Sequence, residues 1–443
     1  VNGKINWHFI ILAFILMLIS YFAPLGLEAQ QQAVLSVTVF VAILWITDAL
    51  PLFVSGIVGA FLLITLGGLE PKMVFTPFFD PIIALLLGGF VLAKGLEKHG
   101  LSQWMAYGFL NKIGSSPKKV IFGLMIVTAF LSMWMSNTAT TAIMIPIALV
   151  ILKKNNLAPL KSNFGKATVL GIAYAANIGG IGTIVGTPPN AIAVKFLADH
   201  GVYLNFLDWM VLAIPVVIIL LPIAWFSLTH MYKSELEKIK VEKFKAQLHL
   251  NQKKVLGVFG LTALLWLTTP LHGVPSSTVA LIPIILLYLF SLLESNDIKS
   301  IDWPTLLLVG AGLALGSAIS FTQLDLVGAN LLQGLVTGQP LFLVLLAIAL
   351  FSIFLTAFAS NTGTAAIVVP IMIALAIFLR IDIRLLVVVA AMATSLDFLL
   401  PVGTPPNAIA YSSGYIKVKD MVKAGFLIAI LASAIVSFLA LFW

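Results

Sequence analysis

The chain of 443 residues contains no cysteine. A disulfide framework, thiolate metal ligands and a cysteine nucleophile are therefore all excluded. Charge is almost as scarce: only 9% of the residues are charged, against 60% hydrophobic, where a soluble domain carries about a quarter charged. A chain this apolar dissolves in lipid. Lysine and arginine outnumber the acids 25 to 17, but the lysines fall in loops between apolar runs, where they report topology rather than nucleic-acid binding. No HExxH, nucleophile–base pair or pair of aspartates at membrane depth is present, which excludes an intramembrane enzyme. The single polar pore face of a channel is missing as well.

What remains is a series of apolar runs close to the roughly 20 residues that cross a bilayer as helix. Spans are expected at 7–24, 33–50, 52–68, 81–97, 167–197, 209–228, 255–271, 277–293, 304–320, 385–412 and 421–442, eleven in all. The first lacks a small-residue cleavage site and reads as a retained helix. Two further apolar segments, 120–152 and 341–376, are broken at their centres by Ser136-Asn137-Thr138 and Ser360-Asn361-Thr362. Each predicts a re-entrant helical hairpin, a backbone tolerated at membrane depth only where protein or a cavity shields it. Short loops throughout suggest a multi-pass protein of a bacterial inner membrane.

The two halves repeat. "MSNTATTAIMIPIALVIL" (135–152) aligns with "ASNTGTAAIVVPIMIALA" (359–376), "LWITDALP" from Leu44 with "LWLTTPLH" from Leu265, and "LLLGG" from Leu85 with "LLLVGAG" from Leu306. "VGTPPNAIA" occurs unchanged at 185–193 and 402–410. The landmarks keep one order in both copies, so residues 1–32 read as an N-terminal helix, 33–228 and 255–443 as repeats, and 229–254 as a basic linker. Lys112, Lys118, Lys119, Lys153, Lys154, Lys161 and Lys166 flank the first hairpin, whereas 321–340 holds no basic residue and only Arg380 and Arg384 follow the second. The positive-inside rule then opens the first hairpin to the cytoplasm and the second to the outside, as inverted copies of the kind found in secondary transporters. The basic stretch 231–254 reads as a solvated cytoplasmic linker in preference to an amphipathic regulatory helix.

In TPPN, Thr187 and Thr404 suit an N-cap, and Pro188, Pro189, Pro405 and Pro406 suit a first helical turn that needs no N–H. Proline disfavours a helical residue before it, so the preceding helices are expected to stop near Gly186 and Gly403. Both are structural breaks. Ser136 or Asn137, and Ser360 or Asn361, should begin the inner helices of the hairpins. Four helix ends can then meet: N-termini favour an anion, and freed carbonyls with Ser, Thr and Asn oxygens favour a small hard cation. No lysine, arginine or histidine stands beside any of the four motifs, so a bound anion would have to be balanced by dipoles, hydroxyls, amides and co-bound cations. Asp397 is the one acid near a motif inside a span, and either a cation or proton role or a structural hydrogen bond fits it.

Two SNT tips, two TPPN breaks and eleven spans together resemble the divalent anion–sodium symporter family, which includes the sodium-coupled dicarboxylate, citrate and sulfate carriers. The segment "SLDFLLPVGTPPNAIA" (395–410) follows that family's signature at Ser395, Phe398, Pro401, Gly403, Asn407 and Ile409, with Ala410 in place of the usual valine. The resemblance implies an all-α polytopic fold with eleven transmembrane helices, two re-entrant hairpins and two broken helices in inverted repeats. It implies a homodimer in which scaffold parts (33–115 and 255–335) stay fixed while transport parts (116–228 and 336–443) slide as an elevator. It implies at least two sodium ions, one near Ser132, Ser136, Asn137 and Gly186, the other near Thr356, Ala359, Asn361 and Gly403. The dicarboxylate is expected between the tips, held by Ser136, Asn137 and Thr138 with Ser360, Asn361 and Thr362, and bordered by Thr187 and Thr404. A C4-dicarboxylate such as succinate, malate or fumarate is the expected cargo, ahead of citrate, sulfate or sodium-independent exchange.

Overall fold

Helix boundaries in this chain are written by prolines and short polar side chains. Pro71, Pro81, Pro117, Pro188 and Pro405 each open a helix, where the missing N–H costs nothing. Asp80, Ser162, Asn205, Asp302 and Asp382 each accept a backbone N–H from the first turn, satisfying one of the donors a helix start leaves free. The computed structural model describes residues 6–241 and 248–443. Residues 1–5, and residues 242–247 of the basic stretch, lie outside the described residues.

Among the described residues every regular element is a helix. After an N-terminal helix, Trp7–Phe22, the same succession of elements runs twice. Ala29–Thr47, Leu52–Thr65 and Pro81–Lys98 correspond to Leu250–Leu267, the pair Ser276–Val279 and Leu281–Leu289, and Trp303–Phe321. Pro117–Ser132 with Asn137–Lys154 corresponds to Leu341–Thr356 with Asn361–Leu379. Asn163–Gly180 with Pro188–Asp199 corresponds to Ile383–Ser395 with Pro405–Ser412, and Phe206–Met231 to Val418–Ala440. Seven of the described helices are long and apolar enough to cross a membrane by themselves; others, including Trp7–Phe22 and Leu341–Thr356, are apolar but shorter.

Besides a few short turns of helix, two longer helices were not anticipated. Leu101–Ile113 and Leu324–Val336 are helices in equivalent places, each entered through a left-handed residue, Gly100 at φ 66° and Gln323 at φ 58°. The left-handed turn redirects the chain after the preceding long helix. Each is only 13 residues long, too short to read as a span, and each carries polar side chains such as Asn111 and Lys112 or Asp325 and Gln333.

Large apolar side chains face outward, as lipid requires: Phe14, Phe61, Ile218, Phe226, Leu264 and Phe354 are all exposed. The centre is built from small residues. Asn163–Gly180 is buried along almost its whole length and lies against Pro117–Ser132 so closely that a Cβ on Gly179 would stand 2.5 Å from the Cα of Ala129. Small residues permitting backbone approach are how membrane helices gain packing energy where lipid supplies no hydrophobic drive.

Loop contacts fall into two sets. In one, Lys98 pairs with Glu294 and Asp297 at 3.2 and 2.7 Å, Ile239 N bonds Ser115 O at 2.7 Å, Asn155 Nδ2 bonds Lys240 O at 3.1 Å, and Lys166 pairs with Asp420 at 3.1 Å. In the other, Gln31 Nε2 bonds Thr322 O at 2.9 Å, Gln30 Nε2 bonds Gly67 O at 3.1 Å, and Lys195 meets Asp80 at 3.5 Å. The first half of the basic stretch is more tightly held than a solvated linker. Residues 233–241 form no helix, Glu235 accepts from Ser162 Oγ and from Phe164 N, and Ile239 is buried.

Candidate functional site

The two SNT motifs behave alike. Ser136 and Ser360 are the N-caps, their Oγ atoms accepting from Ala139 N at 3.2 Å and Gly363 N at 3.0 Å, so the inner helices start at Asn137 and Asn361. Behind each asparagine stands a hydroxyl from the outer helix. Ser132 Oγ lies 2.6 Å from Asn137 Oδ1 and 2.8 Å from Ala176 O. Thr356 Oγ1 lies 2.6 Å from Asn361 Oδ1 and 2.8 Å from Thr394 O. A hydroxyl carries one proton, so each can satisfy only one of its two oxygen neighbours. Each cluster is thus rich in oxygen and short of positive charge, the donor set a hard cation takes.

The TPPN breaks differ from their expected form. The helices end at Gly180 and Ser395, well before Gly186 and Gly403; residues 181–186 are wound into turns, whereas 396–400 run without regular structure before the turn at 401–403. The reason lies in the motif's own asparagine. Asn190 Nδ2 donates to the carbonyls of Gly180 at 3.0 Å and Thr183 at 2.7 Å; Asn407 Nδ2 donates to those of Asp397 at 3.3 Å and Leu400 at 3.0 Å. These side chains absorb the carbonyls that a helix end releases. Asn177 Nδ2 also reaches Asp397 O, at 2.6 Å, tying the first broken helix to the second break. Thr187 occupies the N-cap position but its side chain makes no capping bond, unlike Thr404, whose Oγ1 accepts from Asn407 N at 3.4 Å.

Gly186 and Gly403 bring these loops against the hairpins. A Cβ on Gly186 would stand 2.9 Å from Ser132 O, and one on Gly403 would stand 3.1 Å from Ala357 O. The absence of a side chain lets each loop backbone come close to a row of oxygens.

Both tips and both breaks open on one cavity of about 150 Å³. Ser136, Asn137, Thr138, Gly186, Thr187 and Pro188 line it from the first repeat. Ser360, Asn361, Thr362, Gly403, Thr404, Pro405 and Pro406 line it from the second. Ser132 and Thr356 stand behind the lining, fully buried, and Ala359 and Pro189 are not part of it. The rest of the wall comes from Leu52, Phe90, Asp302, Thr305 and Leu308, which sequence reasoning missed: only Leu308 falls within a repeated motif, and that motif is apolar. Asp302 caps its own helix, its carboxylate accepting from Thr305 N at 3.2 Å and Thr305 Oγ1 at 2.7 Å. Among the described residues no lysine, arginine or histidine lines the cavity. Asn190 and Asn407 were within the repeated motif, but their service to the breaks could be seen only once the carbonyls were placed.

A cavity that joins paired helix ends, carries no basic side chain among the described residues and lies inside a shell of lipid-facing helices is the arrangement of a membrane transporter. The comparisons with known proteins agree. The chain belongs to the family described as the sodium:sulfate symporter transmembrane region, whose model matches residues 3–443. It is 35% identical to the sodium-dependent dicarboxylate transporter SdcS of Staphylococcus saprophyticus, over 96% of this chain and 88% of that protein. The SdcS of Staphylococcus aureus is similar to the same degree and extent. Among solved structures the fold is similar to the Alcanivorax borkumensis YdaH transporter, with a TM-score of 0.57, 14% identity and coverage of 98% of this chain and 97% of that one. It is also similar to Neisseria gonorrhoeae MtrF, at 0.56, 13%, 99% and 94%. The chain is a multi-pass membrane transporter and not an enzyme.

Proposed function

We propose that this protein is a sodium-coupled importer of C4-dicarboxylates such as succinate, malate or fumarate. The observation that carries the reading is the single cavity lined by two SNT tips and two TPPN breaks without any basic side chain. A dianion there meets helix N-termini, hydroxyls and amides, which give partial positive charge but no full one. Cations in the two oxygen clusters supply the remainder, so cargo and sodium stabilise one another, and that mutual dependence is coupling. Ser132, Ser136, Asn137 and Gly186 hold one sodium; Thr356, Ala359, Asn361 and Gly403 hold the second. Ser136, Asn137 and Thr138 grip one carboxylate and Ser360, Asn361 and Thr362 the other, with Thr187 and Thr404 at the border. The relatives named for sodium-dependent dicarboxylate transport support the cargo class.

The repeats are inverted in this reading, with eleven spans and two re-entrant hairpins. The lysine distribution supports it, and so do the bonds of both ends of the first hairpin, Ser115 and Asn155, to one strap of the basic linker. The cavity wall combines residues of the scaffold parts, such as Leu52 and Phe90, with those of the transport parts, as sliding of one against the other requires. The elevator motion and the homodimer rest on family resemblance.

The test is uptake of labelled succinate into proteoliposomes with and without an inward sodium gradient. Sodium-dependent accumulation is expected, and uptake indifferent to sodium would replace the reading with exchange. Sulfate is the second reading, because the matched family is described by sodium:sulfate symport; competition by excess sulfate but not by malate or fumarate would favour it.

A further inference from the structure

The two cation loops are not chemically equal. Gly180 and Asp397 occupy equivalent positions, since their carbonyls accept from the equivalent asparagines Asn190 and Asn407, at 3.0 and 3.3 Å. In the first repeat the position carries no side chain. In the second it carries a carboxylate that is fully buried. Its Oδ1 accepts from Leu399 N at 2.9 Å, but its Oδ2 has no partner. That free oxygen is turned onto Gly403: a Cβ built there would collide with it, with Ala357 O 3.1 Å away. The ion pairs of the described residues leave Asp397 without a basic partner.

A buried carboxylate with an unpaired oxygen and no counter-ion is too costly to persist as such. It lies where the chain already gathers oxygens around Gly403 and Thr356. We propose that Asp397 is a direct ligand of the cation at the second loop, through Oδ2, making that loop an anionic site while the first remains neutral. This rests on the sodium-coupled reading and deepens it. This additional oxygen ligand lets the second loop bind sodium before any dicarboxylate arrives. The first loop, having only neutral oxygens, fills appreciably only with the dianion present. Sodium binding without cargo is therefore a property of the second loop and of Asp397.

The experiment measures the thermal stability of the purified full-length chain in detergent, without dicarboxylate. Sodium is titrated against potassium at constant ionic strength. The wild type should show saturable stabilisation by sodium. Asp397→Asn and Asp397→Gly, the latter copying the first repeat, should raise the half-saturating sodium at least tenfold. Thr65→Ala, at an exposed threonine that bonds only Phe61 O, should leave the cargo-free titration within about twofold of wild type. Protection of both Asp397 variants by succinate at saturating sodium shows that they are folded. An unchanged sodium midpoint in folded Asp397→Asn and Asp397→Gly overturns the assignment while leaving sodium coupling intact. A wild type without any sodium response in the absence of dicarboxylate likewise overturns the assignment, whereas a wild type that sodium fails to stabilise even with succinate present removes the coupling reading as well.

Discussion

Gly180→Ala separates the integrity of the fold from that of the first sodium cluster. A Cβ at this position would lie 2.9 Å from Asn137 Cγ and Nδ2, and nearer still to Oδ1. The obstacle is a side-chain end, not backbone, so Asn137 can swing away. Doing so breaks its 2.6 Å contact with Ser132 Oγ and withdraws Oδ1 from the cluster. Gly180 is the last residue of its helix and only a side-chain end has to move, so the protein should still fold and unfold cooperatively. Losing a buried hydrogen-bonded position costs about 1–3 kcal/mol. At 1.4 kcal/mol per tenfold, the sodium required for half-maximal succinate uptake should rise by about 5- to 150-fold. Sodium titration of uptake in proteoliposomes reads this directly, with thermal unfolding as the control for folding. A half-saturating sodium within twofold of wild type would refute the placement of Asn137 in the cluster.

Asn137→Ala and Asn361→Ala should each abolish sodium-dependent uptake while the protein still elutes as a folded species on size exclusion; full transport by either would defeat the site. Asn190→Ala and Asn407→Ala leave carbonyls of the broken helices unpaired, and each should lower stability by about 1–3 kcal/mol, visible as an earlier thermal transition. Lys166→Ala strips Asp420 of its partner in a pair whose side chains are only 17% and 12% exposed. The loss should be on the order of 2 kcal/mol, between the buried and exposed limits. The hydrogen bond from Lys98 holds the Asp297 carboxyl below its ordinary range. A depressed carboxyl contributes stability above its unfolded value near pH 4 and loses it as pH falls through the lowered one. Asp297→Asn should therefore flatten the acid side of the stability profile, a change absent if the pair is inert.

Much of this was legible because the bilayer leaves few options. Runs of apolar residues can only be helices when no water pairs the backbone, so most spans fell within a few residues of the helices found, and the SNT serines stood where new helices begin. The repeated VGTPPNAIA marked both breaks, since Pro-Pro after threonine restarts a helix wherever it occurs. The helices Leu101–Ile113 and Leu324–Val336 escaped, because at 13 residues each they fall short of the length that marks a membrane span. The early ends at Gly180 and Ser395 escaped too, because they depend on Asn190 and Asn407 reaching back to carbonyls seven or more residues earlier.

Local chemistry along the chain settled where helices start, which segments prefer lipid, and which two stretches lack the charge an anion needs. Convergence was settled elsewhere. That both tips and both breaks share one cavity, that Asp302 and Thr305 complete its wall, and that Oδ2 of Asp397 faces Gly403 follow from the packing of helices remote in sequence. Those distances come from backbone approach permitted by glycines, and no linear pattern encodes which backbone a glycine will meet.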